Sequence, residues 1–291
     1  MRKILTFLTA LFLPFPAQAA DDVPPAKPAL WKVSDADTTI YLFGTIHLLK
    51  PGTRWLDGDL KRAYEGSSEL VVEMVEPGAE ESNKLVMARA VDPDGPALTQ
   101  KLTPEDAQRY KAALGTMGLP AEQLDMLEPW FLATLLSVYP AQKLGYDPQN
   151  GVDKMLIGLA RASGKTVTPL ETLDEQLSFL DGLAEADQIK MLNETVRTLP
   201  ELEKSIAEMI QSWSAGDAEN LAKLMDKDVN AIPSLKTVLI TNRNKRWADW
   251  VQKRLDTPGT VFMAVGAGHL AGDDSVQKML AARHLSVTRV R

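Results

Sequence analysis

Strand-forming segments stand at the two ends of this chain, with a long helical block between them. Near the N-terminus, "LWKVSD" and "TTIYLFGTIHLL" flank the turn-forming pair Ala36-Asp37, the layout of a β-hairpin. Near the C-terminus, "GTVFMAVGAGHLAG" reads as a buried strand running into a Gly-rich turn. A short helix, "DDSVQKMLAARH", and an edge strand, "LSVTRV", follow it. The late strand has no sheet partners close to it in sequence, so it must pair with the early ones. The expected fold is therefore α/β: a mixed central sheet built from N- and C-terminal strands, with a large helical insertion over about residues 96–252.

Local signals fill in the block. "SELVVEMVEP" holds a short buried strand, Leu70 to Val72, with Glu73 at its downstream end. Thr103 is a candidate N-cap with Pro104 at the first helical position. "LEPWFLATLLSVYPAQKLG" reads as a core helix starting near Pro129. Asp153 to Ala162 has helical periodicity, Gly164 stops it, and "TVTPLE" is a strand ending in a second carboxylate, Glu171. Three more amphipathic regions lead to "RNKRWADWVQKRL".

Composition removes several classes of function. "MRKILTFLTALFLPFPAQA" has basic residues first, an apolar run from Ile4 to Phe15, and Ala17-Gln18-Ala19 as a small-residue cleavage site. Residues 1–19 are thus expected to be a signal peptide cut after Ala19, and the mature chain to be soluble and secreted or periplasmic. Residues 20–29 read as a Pro-rich linker, and residues 30–291 as a single domain. The mature chain would carry a net charge of −9, with 30 basic residues against 39 acidic ones. That balance disfavours nucleic acid, which needs a positive footprint. With no cysteine there is neither a disulfide nor a thiolate site.

The chain has three histidines, and two share one grammar. Gly44-Thr-Ile-His47 and Gly266-Ala-Gly-His269 each follow an apolar strand and precede a leucine. Ligand sites of α/β sheets form beyond the carboxyl ends of strands, so the two could meet in space. Glu73 and Glu171, also at strand ends, point to the same rim. Two imidazoles with carboxylates suit Mn, Co, Fe or Zn, whereas calcium and magnesium prefer oxygen alone. Taken singly, His47 is more simply a hydrogen-bonded rim residue, and a strand-end Glu more simply a solvated one. His284 reads as a surface residue. Arg243 and Asn244 are ordinary exposed helix residues unless they face the rim, where they could steady charge on a substrate oxygen. Tryptophans such as Trp130 read as packing first, with a peptide groove as the lesser alternative.

The order of the blocks "YLFGTIHLL", "ELVVEMVEP", "EPWFLATLL", "GVDKMLIGLARASGKTVTPLETLDEQ", "RNKRWADWVQKRL" and "TVFMAVGAGHLAG" resembles the TraB/PrgY/GumN family, related to the Tiki membrane proteases. Members carry paired Gly-x-x-His motifs, a strand-end Glu, a Gly-Val-Asp/Glu block, a Leu-Glu-Thr block and an Arg-Asn pair. The matching positions here are Gly44/His47, Gly266/His269, Glu73, Gly151 to Asp153, Leu170 to Thr172, and Arg243/Asn244. Tiki-type members are divalent-metal-dependent peptidases, and PrgY-like members limit peptide pheromone activity. The resemblance implies a metal held by His47, Glu73 and His269. It assigns Glu171, Arg243 and Asn244 to catalysis, with Glu171 a base or a further ligand, and Asp153 and Trp130 to substrate binding. The expected activity is a metal-dependent hydrolase acting on a peptide or small molecule. The alternative is a non-enzymatic binder of a peptide, a small ligand or, more remotely, haem on the same fold.

Overall fold

The computed structural model describes residues 25–229 and 231–291, so the expected signal peptide lies outside the described residues. Six strands, β1 (Leu30–Ser34), β2 (Thr38–Thr45), β3 (Glu69–Met74), β4 (Thr166–Glu171), β5 (Gly259–Gly266) and β6 (Val287–Arg289), form one sheet ordered β4-β3-β5-β2-β1-β6. β4, β3, β5 and β2 are parallel, while β1 pairs antiparallel with both β2 and β6. The mixed α/β sheet is the one expected. One of its strands, β4, comes from inside the helical block and forms an edge.

The parallel strands are apolar on both faces because helices cover both. Phe43, Leu70, Val72, Phe262 and Ala264 face one core, and Leu42, Val71, Val261, Met263 and Val265 face the other. The longer helices are α1 (Gly58–Glu65), α2 (Ala79–Ala90), α3 (Pro104–Met117), α4 (Pro129–Lys143), α5 (Val152–Ala162) and α6 (Leu173–Asp181). After them come α7 (Glu185–Thr198), α8 (Leu202–Ser214), α9 (Ala218–Val229), α10 (Asn242–Arg254) and α11 (Val276–Ala281). The first core takes Leu156 and Ala160 of α5, and the second takes Trp247, Ala248 and Val251 of α10. A third core joins α3, α4 and α7 through Tyr110, Leu114, Leu132, Leu136 and Leu192.

The helix signals hold at α3, where Thr103 Oγ1 accepts from the Asp106 N–H at 3.1 Å and Gly118 ends the helix at φ 71°. α2 had no periodic signal because its apolar residues do not gather on one face, and only Ala90 is buried. The Pro-rich stretch expected to be a linker is tied down from Ala26 onward. Ala26 N–H donates to Arg54 O at 2.8 Å and Lys27 N–H to Ser214 O at 2.6 Å. Ala26, Pro28 and Ala29 are buried. No helix among the described residues is long and apolar enough to cross a membrane.

Candidate functional site

Strand register assembles the site. In the β2–β5 pair, Gly44 lies opposite Val265 and Thr45 opposite Gly266, so the two Gly-x-x-His motifs leave the sheet side by side. β3 flanks β5 on its other side with Val72 opposite Ala264, one residue before Glu73. β4 places Glu171 opposite Met74. All four parallel strands therefore deliver a polar side chain to one rim.

The glycines are dictated by close approach. A Cβ on Gly44 would lie 2.9 Å from Ala267 Cα, in the 3₁₀ turn Ala267–Leu270 that carries His269. One on Gly151 would lie 2.5 Å from His47 O. That contact docks the start of α5 on the His47 loop, where Val152 N–H donates to Ile46 O at 2.9 Å. One on Gly266 would stand 3.0 Å from Glu73 Oε1, 3.4 Å from His47 Nε2 and 3.6 Å from His269 Cδ2. Gly266 thus keeps open the space on which three candidate ligands converge.

His269 is buried, and its tautomer follows from its neighbours. The Asn244 amide nitrogen donates to Asp274 O at 2.7 Å and to His269 O at 3.3 Å, so its oxygen must accept from His269 Nδ1, 2.6 Å away. The proton therefore sits on Nδ1, and the Nε2 lone pair accepts from Arg243 Nη1 at 3.1 Å. Burial, reinforced by the charges of Arg243 and His47 and opposed by Glu73, holds His269 down to about 3. His47 Nδ1 lies 3.2 Å from Asp153 Oδ1, with its side chain 60% exposed at the cleft mouth. Desolvation lowers its pKa, but the Asp153 hydrogen bond and the charges of Asp153 and Glu73 raise it to about 9. Because the ring reaches solvent, screening tempers that rise.

Glu73 Oε1 accepts from the Gly266 N–H at 2.5 Å, and Oε2 accepts from Arg243 Nη2 at 2.6 Å. Burial pushes the Glu73 carboxyl up, but the positive charges of His269 when protonated, Arg243 and His47, with the Gly266 N–H, bring it to about 2. Arg243 also donates to Glu171 from Nε at 3.0 Å and from Nη2 at 2.7 Å, and to Leu239 O at 3.2 Å. Leu239 lies in a π-helical turn, Thr237–Thr241, that leads straight into α10.

The structure brings His47, Glu73, His269, Arg243, Asp153, Asn244 and Glu171 together, and it places Trp130 elsewhere. Glu171 is buried, and its two oxygens are engaged by Arg243, Arg246 and Gln176. The Asn244 amide is consumed in orienting His269, which leaves no donor for a substrate oxygen. Trp130 is buried in α4 against Phe131 and does not line the cleft.

Other residues of the rim are Arg246, Trp247 and Gln176. Arg246 and Trp247 share a helix face with Arg243 through three- and four-residue spacing, which could have found them. Trp247 lies 4.3 Å from the His269 ring and 4.8 Å from the Arg243 guanidinium. Gln176, which bridges Glu73 and Glu171, and the cleft wall of Met209, Leu221, Met225 and Ile240 depend on tertiary packing. The cleft, open mouth included, spans about 600 Å³.

The donor set suits a divalent ion in kind. His269 Nδ1 is held by the Asn244 oxygen and His47 Nδ1 lies beside Asp153 Oδ1, placements that leave each Nε2 for a metal. Glu73 Oε1 and His269 Nε2 are 3.7 Å apart, a separation compatible with two donors at roughly 2.1 Å from a shared ion. As the side chains stand, no group of three His, Asp or Glu among the described residues encloses an ion. Arg243 Nη1 would have to give up the His269 lone pair first.

A mixed α/β sheet with paired Gly-x-x-His motifs and a Glu-Arg-Glu cluster at one rim defines a distinct class of site. The TraB/PrgY/gumN family profile matches residues 29–289, and the chain belongs to that family. The chain is similar to "Uncharacterized protein YbaP" of Escherichia coli (strain K12), 27% identical over 184 residues, covering 63% of this chain and 68% of the relative. The Shigella flexneri protein of the same name matches to the same extent. No solved structure matches.

Proposed function

We propose that the chain is an exported, divalent-metal-dependent hydrolase whose substrates are peptides. The observation that carries this is the convergence of His47 Nε2, Glu73 Oε1 and His269 on the space above Gly266, beneath a cleft walled by Met209, Leu221, Met225 and Ile240. His47, Glu73 and His269 would hold the ion, which when bound supplies Lewis acidity toward a carbonyl and toward water. The remaining work belongs to the chain's own groups. Asp153 and Asn244 fix the two imidazoles with Nε2 toward the cleft. Glu171, itself held by Arg246 and Gln176, anchors Arg243, whose Nη1, once it gives up the His269 lone pair, is the donor left for negative charge developing on a substrate oxygen. The apolar wall excludes water and takes a substrate side chain.

Metal analysis of the purified mature protein, with cleavage of a peptide library under added Mn, Co or Zn, tests the proposal. His47→Ala and His269→Ala are expected to lose both metal and cleavage. Unchanged metal content and turnover in both variants would overturn it. Export predicts that the purified protein begins at Ala20, which N-terminal sequencing reads directly.

A second reading, a non-enzymatic peptide or small-ligand binder, is favoured by one observation. Arg243 already bonds His269 Nε2 and Glu73, so the polar floor is a closed network without an ion. Saturable peptide binding with no turnover under added Mn or Co would select this reading.

A further inference from the structure

Thr45 occupies a strand position that its neighbours fill with apolar residues. Leu42 and Phe43 are fully buried, and Thr45 itself is 2% exposed. Valine has nearly the same shape and would suit such a position without a hydroxyl to satisfy. The Thr45 hydroxyl is buried and has no hydrogen-bond partner among the described residues. Opposite it on β5 stands Gly266, which offers no side chain. The carbonyl just before it, Gly44 O, is already taken by Trp213 Nε1 at 2.8 Å.

An unpartnered buried polar group destabilises a fold, and functional sites are where such costs persist. Seven other buried side-chain atoms share this state among the described residues, Tyr110 Oη and Trp247 Nε1 among them, but of the eight residues Thr45 alone lines the cleft. Thr45 lines the cleft with His47, Glu73 and His269, beside a wall made of Met209, Leu221, Met225 and Ile240. A hydroxyl can both donate and accept, as the backbone amide of a peptide requires.

We propose that Thr45 is a substrate-positioning residue: its hydroxyl hydrogen-bonds the backbone amide of a bound peptide whose adjacent apolar side chain lies against Met209, Leu221, Met225 and Ile240. This deepens the peptide reading of the cleft and rests on it. The preferred substrates are then neutral peptides with an apolar residue beside the group that Thr45 reads. Charged residues at that point meet no counter-charge on this wall.

The test compares wild type, Thr45→Val and Thr45→Ser in thermal unfolding and in calorimetric binding of N-acetyl-leucyl-leucyl-leucine amide, with chelator present so that no cleavage intervenes. Thr45→Val is expected to unfold at a higher temperature and to bind about fivefold to tenfold more weakly. Thr45→Ser is expected to bind like wild type. If the library yields a cleaved peptide, the Val variant should raise its KM with kcat little changed. The inference is overturned if the Val variant binds like wild type, if it unfolds at a lower temperature, or if wild type does not bind the probe. Binding of the probe without metal-dependent cleavage of any peptide would instead sink the hydrolase reading and leave Thr45 in place.

Discussion

Arg243 is the residue on which the rim depends. Its guanidinium is buried and contacts Glu73, Glu171 and His269 at once. A buried cation is tolerated only while its partners remain, and removing one partner of such a pair strands the other. Glu171→Ala is therefore expected to lower stability by about 3 kcal/mol, read as a shift in urea unfolding. A general base would behave differently, with turnover lost and the urea curve unmoved.

At the scale of elements, the site is shaped by where backbones touch. Gly151 lets the start of α5 rest on His47 O, and a Cβ there would meet backbone that cannot rotate away. Gly151→Ala is expected to cost about 1–3 kcal/mol by overpacking and to displace Asp153 from His47. Chemical denaturation measures the cost, and the imidazole NMR signals of His47 report the displacement. The opposite change is expected at His284, just after α11, the one non-glycine residue with positive φ among those described, at 63°. His284→Gly relieves a left-handed strain and should raise the unfolding temperature, by an amount equivalent to about 1 kcal/mol.

For the whole molecule, the rim imposes a pH dependence on stability. His269 is held at about 3 against an ordinary 6.5, so the unfolded chain binds an extra proton between those values and stability falls as pH drops through them. Glu73, held at about 2 against 4.5, adds a contribution that is present above 4.5 and lost as pH falls toward 2. His47, raised to about 9, contributes in the other sense: its share is complete below 6.5 and lost as pH rises through 9. Urea midpoints of the metal-free protein should therefore peak near neutrality. The acid limb has a slope of up to about 1.4 kcal/mol per pH unit per proton. His269→Gln should flatten that limb above about pH 4.5.

Strand-forming runs, the hairpin turn, the Thr103 cap and the helix stop at Gly164 are local, so they were legible in the chain itself. The repeated Gly-x-x-His grammar and the strand-end Glu73 were legible in the same way. The family was legible too, because it rests on the order of blocks along the chain. Only the tertiary structure decided that β2 and β5 are adjacent and in register, because strand pairing is settled by packing across more than two hundred residues. It also brought Arg243, Arg246 and Gln176 to Glu171, and His269 and Asp274 to Asn244. A side chain's role depends on which neighbours use up its donors and acceptors, and those neighbours arrive from distant strands and helices. Thr45 shows the same rule in reverse: in the sequence it is an ordinary strand threonine, and in the fold it is a buried hydroxyl without a partner among the described residues.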